Sequence, residues 1–260
     1  MVSQKILIEL TAGNEWVDGE QLTGRGLLGM FYEVLARYDK PLADMLHGGQ
    51  EVNPFTITPL FSPLGTLEQV EIVGLSARCC DGIVGAWQTA VSEQYCLHWG
   101  DQAFHAKQVV CEKSIYVGEL ATSEPKRIVG LEFCSPTAFK AGPQTLPLPL
   151  AHNVFRRPLQ LWNEQTRQQP MLRIDKTWLD WCERQVFVYS HNICTKQVLI
   201  HPKQAPIIGF VGEVWLRAHE GSPIQLSTLH ALARFAEWSG VGAKTAMGMG
   251  KVAFIAATDE

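Results

Sequence analysis

The chain has 260 residues, 46% hydrophobic and 18% charged, a composition that excludes a disordered or coiled-coil protein and leaves room for one large or two ordinary domains. Its net charge of −4 excludes a protein that coats nucleic acid non-specifically, because counterion release needs excess Lys and Arg where the phosphates lie; a local basic groove is still allowed. No apolar run approaches the roughly 20 residues of a bilayer span, and the first residues, MVSQKILIEL, alternate rather than form a signal block, so no membrane partner is expected and the expected compartment is the cytoplasm.

In chain order, SQKILIEL (3–10) alternates polar and apolar and reads as a strand. RGLLGMFYEVLARY (25–38) repeats its apolar residues at helical spacing. NPFTITPLF (53–61) and EQVEIVGLSAR (68–78) read as strands, GIVGAWQTAVSEQYCLHW (82–99) as a helix and AFHAKQVVCEKSIYV (103–117) as a strand. A polar connector, ATSEPKR (121–127), leads to the strand IVGLEFCS (128–135), the helix LAHNVFRRPLQLWNEQ (150–165), strands near 185–200 and 206–219, the helix LSTLHALARFAEWS (226–239) and the strand KVAFIAA (251–257). Each half thus reads β-α-β-β-α-β. The expected fold is α+β, two tandem ferredoxin-like domains over 1–122 and 123–260, whose open sheet faces flank a cleft.

The seven cysteines form no CxxC pair, so neither a disulfide framework nor a zinc ribbon is indicated. Cys79 and Cys80 read as strand-end thiols packed as small hydrophobes. The histidines lack HxH or HExxH spacing; no metal site and no cofactor is expected. IGFVGEVWL (208–216) lacks the leading cation and aromatic spacing of an RNA-recognition motif and reads as a buried strand.

Before the last strand lies GVGAKTAMGMGKV (240–252). It is no nucleotide loop: Gly250-Lys251 is followed by Val252, Thr245 stands where a dinucleotide fingerprint needs its third glycine, and a helix precedes the loop while a strand follows it, the reverse of both motifs. Its glycines permit positive φ and close backbone approach, so its amides, with Lys244 and Lys251, could nest around a sugar–phosphate chain; a connector without ligand is the alternative.

The spacing Gly240-x-Gly242, then Gly248-x-Gly250-Lys251, resembles the glycine-rich signature of the RAMP superfamily of CRISPR proteins. With FCSPTAFK (133–140), PLPLAHNVFRRPLQLWN (147–163) and LHGGQEVNPFTITPL (46–60), the chain is similar to the CRISPR-associated endoribonuclease that cuts precursor CRISPR RNA within its repeats. The resemblance implies cleavage without a metal. The ribose 2′-hydroxyl attacks the adjacent phosphate, leaving a 2′,3′-cyclic phosphate and a 5′-hydroxyl, which requires a base, an acid and positive charge on the phosphorane. It points to His47, in a loop after the first helix, and to Tyr32 as catalytic residues. Where related sequences carry a lysine after the histidine, GGQEVNPF has none and Asn53 stands instead, so the charge must come from elsewhere, Arg25 or Lys244 being candidates.

The RNA-binding candidates are Arg25, Lys140, Arg156, Arg157, Gly240, Gly242, Lys244, Gly248, Gly250 and Lys251. The expected partners are CRISPR repeat RNA, subunits of a CRISPR interference complex, and a second copy of the chain in a homodimer. A non-catalytic subunit that only holds CRISPR RNA, and a metabolic enzyme or small-ligand sensor on the same scaffold, remain as alternative readings.

Overall fold

A computed structural model describes residues 2–12, 22–48, 52–99 and 102–256. The N-terminal half contributes β1 (Val2–Ala12), α1 (Gly24–Tyr38), α2 (Lys40–His47), β2 (Phe55–Phe61), β3 (Leu67–Gly74), α3 (Ala77–Ser92), β4 (Cys96–Trp99), β5 (Gln102–Tyr116) and the short α4 (Val117–Leu120). The C-terminal half contributes β6 (Ile128–Thr137), β7 (Phe139–Ala141), β8 (Gln144–Leu146), α5 (Ala151–Gln165), α6 (Thr177–Gln185), β9 (Val186–Val198), β10 (Ile207–Ala218), α7 (Pro223–Ser239) and β11 (Val252–Ile255).

The sheets run β2-β3-β1-β5-β4 and β11-β6-β10-β9, with every pair antiparallel. Setting aside β4, which folds onto the edge of β5, both follow the ferredoxin-like order, so the two halves are ferredoxin-like folds in tandem. Alternation builds each core: Ile6, Ile8 and Leu10 point from β1 toward α1 and α3, which return Phe31, Leu35, Ile83 and Trp87. Val129, Leu131 and Phe133 of β6 meet Phe155, Trp162 and Phe235 of α5 and α7. Helix ends follow local chemistry: Ser222 and Gln225 form a reciprocal capping box at α7, with Pro223 in the first turn.

Four readings change. Residues 95–99 are not helical; α3 ends at Ser92, Gln94 turns with φ 51°, and Cys96–Trp99 pair with β5. Cys79 and Cys80 lie buried in the first turn of α3, not at a strand end, whereas Cys111, Cys134 and Cys194 are exposed. The strand 208–216 buries only one face: Phe210, Val214 and Leu216 are inside, while Glu213 is exposed and Trp215 half-buried. The helix α6 was not legible at all.

The fourth change concerns the sheet faces. The open face of the N-terminal sheet does not line a cleft; the C-terminal half covers it. Val73 and Leu75 join the C-terminal core, Gln165 Nε2 donates to Ser3 Oγ at 3.0 Å, and the Lys5 ammonium lies 5.0 Å from the centre of the Trp238 ring. Burial of this apolar surface fixes the two halves against each other. No described helix is long and apolar enough to cross a membrane.

Candidate nucleic-acid interface and active site

The N-terminus of α1 is clamped at the junction of the halves. Thr23 caps it by accepting from Gly26 N at 3.1 Å, the Trp99 indole donates to Thr23 O at 2.9 Å, and Gly24 N and Arg25 N donate to Leu199 O and Ile200 O. α1 buries Leu27, Met30, Phe31, Val34 and Leu35. Its other face presents Arg25, exposed, and Leu28 and Tyr32, half-buried and one turn apart.

His47 is the last residue of α2, and so in a helix rather than a loop. The position of α2 is set by Asp39, whose carboxylate caps it through Leu42 N at 3.1 Å while receiving two 2.7 Å hydrogen bonds from Arg78 of α3. Those Arg78 bonds hold the Asp39 carboxyl below its ordinary range. His47 is exposed, and its ring centre lies 5.4 Å from that of Tyr32. Tyr32 also packs edge-on against Phe55 at 6.3 Å. Burial raises its phenol pKa, which keeps it protonated as a hydrogen-bond donor.

Leu28, one turn before Tyr32 on the same face of α1, borders a cleft of about 410 Å³ between the halves, and neither Tyr32 nor His47 is among its described lining residues. Leu28 from α1, Asn53, Lys140 of β7, a stripe of α5 and the segment 242–247 line it. Its lining includes the cations Lys140, Arg156, Arg157 and Lys244, the amides Asn53, Asn153 and Gln160, and, among the described residues, no carboxylate. In a chain of net charge −4 this is a localised positive groove, suited to an extended polyanion. Among the described residues no three His, Cys, Asp or Glu side chains converge as a metal site.

Five of the ten predicted RNA-binding residues thus share one cleft: Lys140, Arg156, Arg157, Gly242 and Lys244. Arg25 lies outside that lining, on the Tyr32 face of α1. Three glycines have a different use from the expected one. Gly240 N donates to Ala236 O, Gly248 N to Ile57 O and Gly250 N to Pro136 O, so their amides are already satisfied within the protein and cannot nest around a phosphate. The segment is a packed wedge, with a 3-10 turn over Thr245–Met247 seated against β2 and α1. At Gly242 (φ 79°) a Cβ would lie 2.6 Å from Ala138 O, and at Gly250 (φ 76°) it would collide with Val241 O. Lys251 is also diverted: its ammonium pairs with Glu71 of β3 at 2.9 Å.

Arg157 is half-buried, and its bonding is not that of a surface cation. Its Nε donates to Ser239 O at 2.8 Å and its Nη2 to Asn53 O at 3.0 Å and Phe55 O at 3.4 Å, joining the halves. Desolvation lowers its pKa to about 10. Sequence reasoning missed Asn153 and Gln160, although their spacing around Arg156 on one helical face was a usable signal.

Fold and site together define a double ferredoxin-like protein with an exposed His–Tyr pair beside a basic cleft between its halves. Residues 131–252 match the family model described as CRISPR-associated endoribonuclease Cas6. A curated CRISPR-associated endoribonuclease Cas6 from Streptococcus thermophilus is 24% identical over 131 residues, 50% of this chain and 52% of that protein; the chain thus spans about half the length of the curated relative it matches. Among solved structures, a Cas6 product complex superposes with a TM-score of 0.82 at 23% identity, covering 98% of this chain and 99% of the other. Thermus thermophilus Cas6 gives a TM-score of 0.72 at 22% identity, with 98% of each chain covered. The C-terminal half is therefore Cas6-like in sequence, and the chain is Cas6-like in fold from end to end.

Proposed function

We propose that the protein is an endoribonuclease that binds precursor CRISPR RNA in the cleft and cleaves it within the repeats. The carrying observation is the exposed His47 ring against Tyr32, next to a groove whose described lining has four cations and no carboxylate. A solved neighbour of the same fold is a Cas6 product complex. His47 acts as the general acid or base, the role that a positioned imidazole most often fills, and Tyr32 donates to an oxygen of the reacting phosphodiester. The 2′-hydroxyl loses its proton as its oxygen bonds to phosphorus, the P–O5′ bond breaks, and the leaving oxygen takes a proton. The products are a 2′,3′-cyclic phosphate and a 5′-hydroxyl. Every step is a proton transfer or displacement at phosphorus, so side chains can supply all of the chemistry without a metal.

The halves 1–122 and 123–260 act as two domains around the RNA. Arg25, Lys140, Arg156 and Lys244 hold its backbone, with Gly242 keeping the wall of the cleft thin. A homodimer, or docking with interference complex subunits, would use the edge strand β9, which pairs only with β10 and exposes Phe187 and Tyr189.

The deciding experiment incubates the protein with its repeat RNA in EDTA, alongside an RNA with a 2′-deoxy nucleotide at the cut position. Cleavage of the first and survival of the second is the expected result. A second reading, a non-catalytic CRISPR RNA-binding subunit, draws on the absence of any cation in residues 48–55; intact but gel-shifted RNA in both reactions would establish it.

A further inference from the structure

Arg157 presents an electrostatic imbalance. Its guanidinium is desolvated, yet no carboxylate lies within ion-pair distance among the described residues. Its partners are three neutral carbonyls, and the other charged residues in the described cleft lining are further cations, Lys140, Arg156 and Lys244. Buried charge is ordinarily paired, because desolvation is otherwise uncompensated. A guanidinium carries five N–H donors. Nε and Nη2 are engaged, whereas Nη1 has no hydrogen-bond partner among the described residues, and the side chain lines the cleft.

We infer that Arg157 is an anion seat: it receives one phosphate of the RNA through its unused Nη1 edge, and the phosphate supplies the counter-charge that none of the described carboxylates provides. The inference rests on the RNA reading above and names the residue at which charge recognition meets domain orientation. The fork that would take the phosphate also grips Ser239 O at the end of α7 and the carbonyls of Asn53 and Phe55 at the entry to β2. Asn53 follows α2 and His47 in the chain by a few residues. Seating the phosphate therefore tightens the entry to β2, where Phe55 packs against Tyr32, which makes Arg157 a positioning residue as well as a binding one. A lysine cannot replace it, because a single ammonium lacks the planar fork that reaches carbonyls and phosphate together.

The test uses Arg157→Met and Arg157→Lys in the full chain. Binding to a 2′-deoxy-blocked repeat RNA is measured across a salt series, and thermal unfolding with and without inorganic phosphate. The expected result for Arg157→Met is a loss of about 10- to 100-fold in affinity at moderate salt, a log K against log salt slope shallower by about one, and loss of the phosphate-induced rise in Tm seen in wild type. Arg157→Lys keeps the slope, having kept the charge, but loses rate at saturating RNA. A merely structural strut would leave the slope and the phosphate response of both folded variants at wild-type values, and that outcome overturns the inference. Should Arg157→Met fail to fold, Arg157→Lys alone decides: full retention of single-turnover rate at saturating RNA refutes the positioning role. If wild type binds no RNA but phosphate stabilises it and not the variant, the seat stands and the RNA reading falls.

Discussion

Lys251 and Glu71 lie 180 positions apart in sequence, and their side chains meet at 2.9 Å across the junction of the two halves. Glu71 sits on the covered face of β3 with a side chain only 9% exposed. The ion pair therefore works largely out of water, and it takes from the RNA a lysine that sequence spacing had placed at the ligand.

Removing that lysine leaves a buried carboxylate unpaired. Lys251→Met should lower unfolding stability by about 1–3 kcal/mol, below the range for a fully buried pair because Lys251 keeps some solvent contact. Adding Glu71→Leu should recover part of the loss. Urea unfolding of the single and double variants measures the coupling. The salt slope of RNA binding should stay at the wild-type value in Lys251→Met, in contrast to substitutions of Lys140, Arg156 or Lys244.

His47→Ala should slow RNA cleavage by about 10² to 10⁴ while repeat binding barely changes. Tyr32→Phe preserves the packing on Phe55 and His47 and removes only the hydroxyl, so it should reduce the single-turnover rate by less than His47→Ala does. Equal loss of binding and cutting in His47→Ala would make His47 a structural residue.

Glycines in this chain are not interchangeable. Gly250→Ala forces a Cβ onto Val241 O at positive φ and should cost about 1–3 kcal/mol or more. Gly85→Ala, in mid-α3 with open space around the new methyl, should instead gain about 0.5–1 kcal/mol. Opposite shifts in urea midpoint would confirm the contrast.

His230 gives the fold an acid-sensitive point. Burial is the main reason its pKa lies below the ordinary value, and the ring sits 3.0 Å from Ile128 O through Nε2. In the unfolded chain the imidazole gains its proton as pH falls through about 6.5, while the folded ring stays neutral to lower pH. The unfolded state thus binds more protons in that interval, and stability falls as pH drops from about 6.5 toward the folded pKa. Thermal unfolding at pH 7.5 and 5.5 should show a smaller difference in His230→Gln than in wild type.

The thiols should divide by burial. Burial pushes Cys79 up to about 12 and raises Cys182 as well, so both should resist alkylation until the protein unfolds. Cys111 and Cys194, exposed on their strands, should react in the native state, as counted by mass spectrometry.

The alternation of residues 3–10, the helical spacing of 25–38 and the order of elements around the connector 121–127 determined two ferredoxin-like halves, because local periodicity dictates which face of each element is apolar. The family resemblance brought Tyr32, His47 and the cations of the cleft into consideration. It could not separate Arg156, exposed in the groove, from its neighbour Arg157, bonded to both halves, since adjacent residues on one helix differ only in what lies across from them. Nor could it show that Lys251 would turn to Glu71, or that the amides of Gly240, Gly248 and Gly250 would be spent on their own protein. Those assignments arise where segments far apart in sequence are brought together, and the energy of a charge or an amide is set by that surrounding matter rather than by the chain on either side of it.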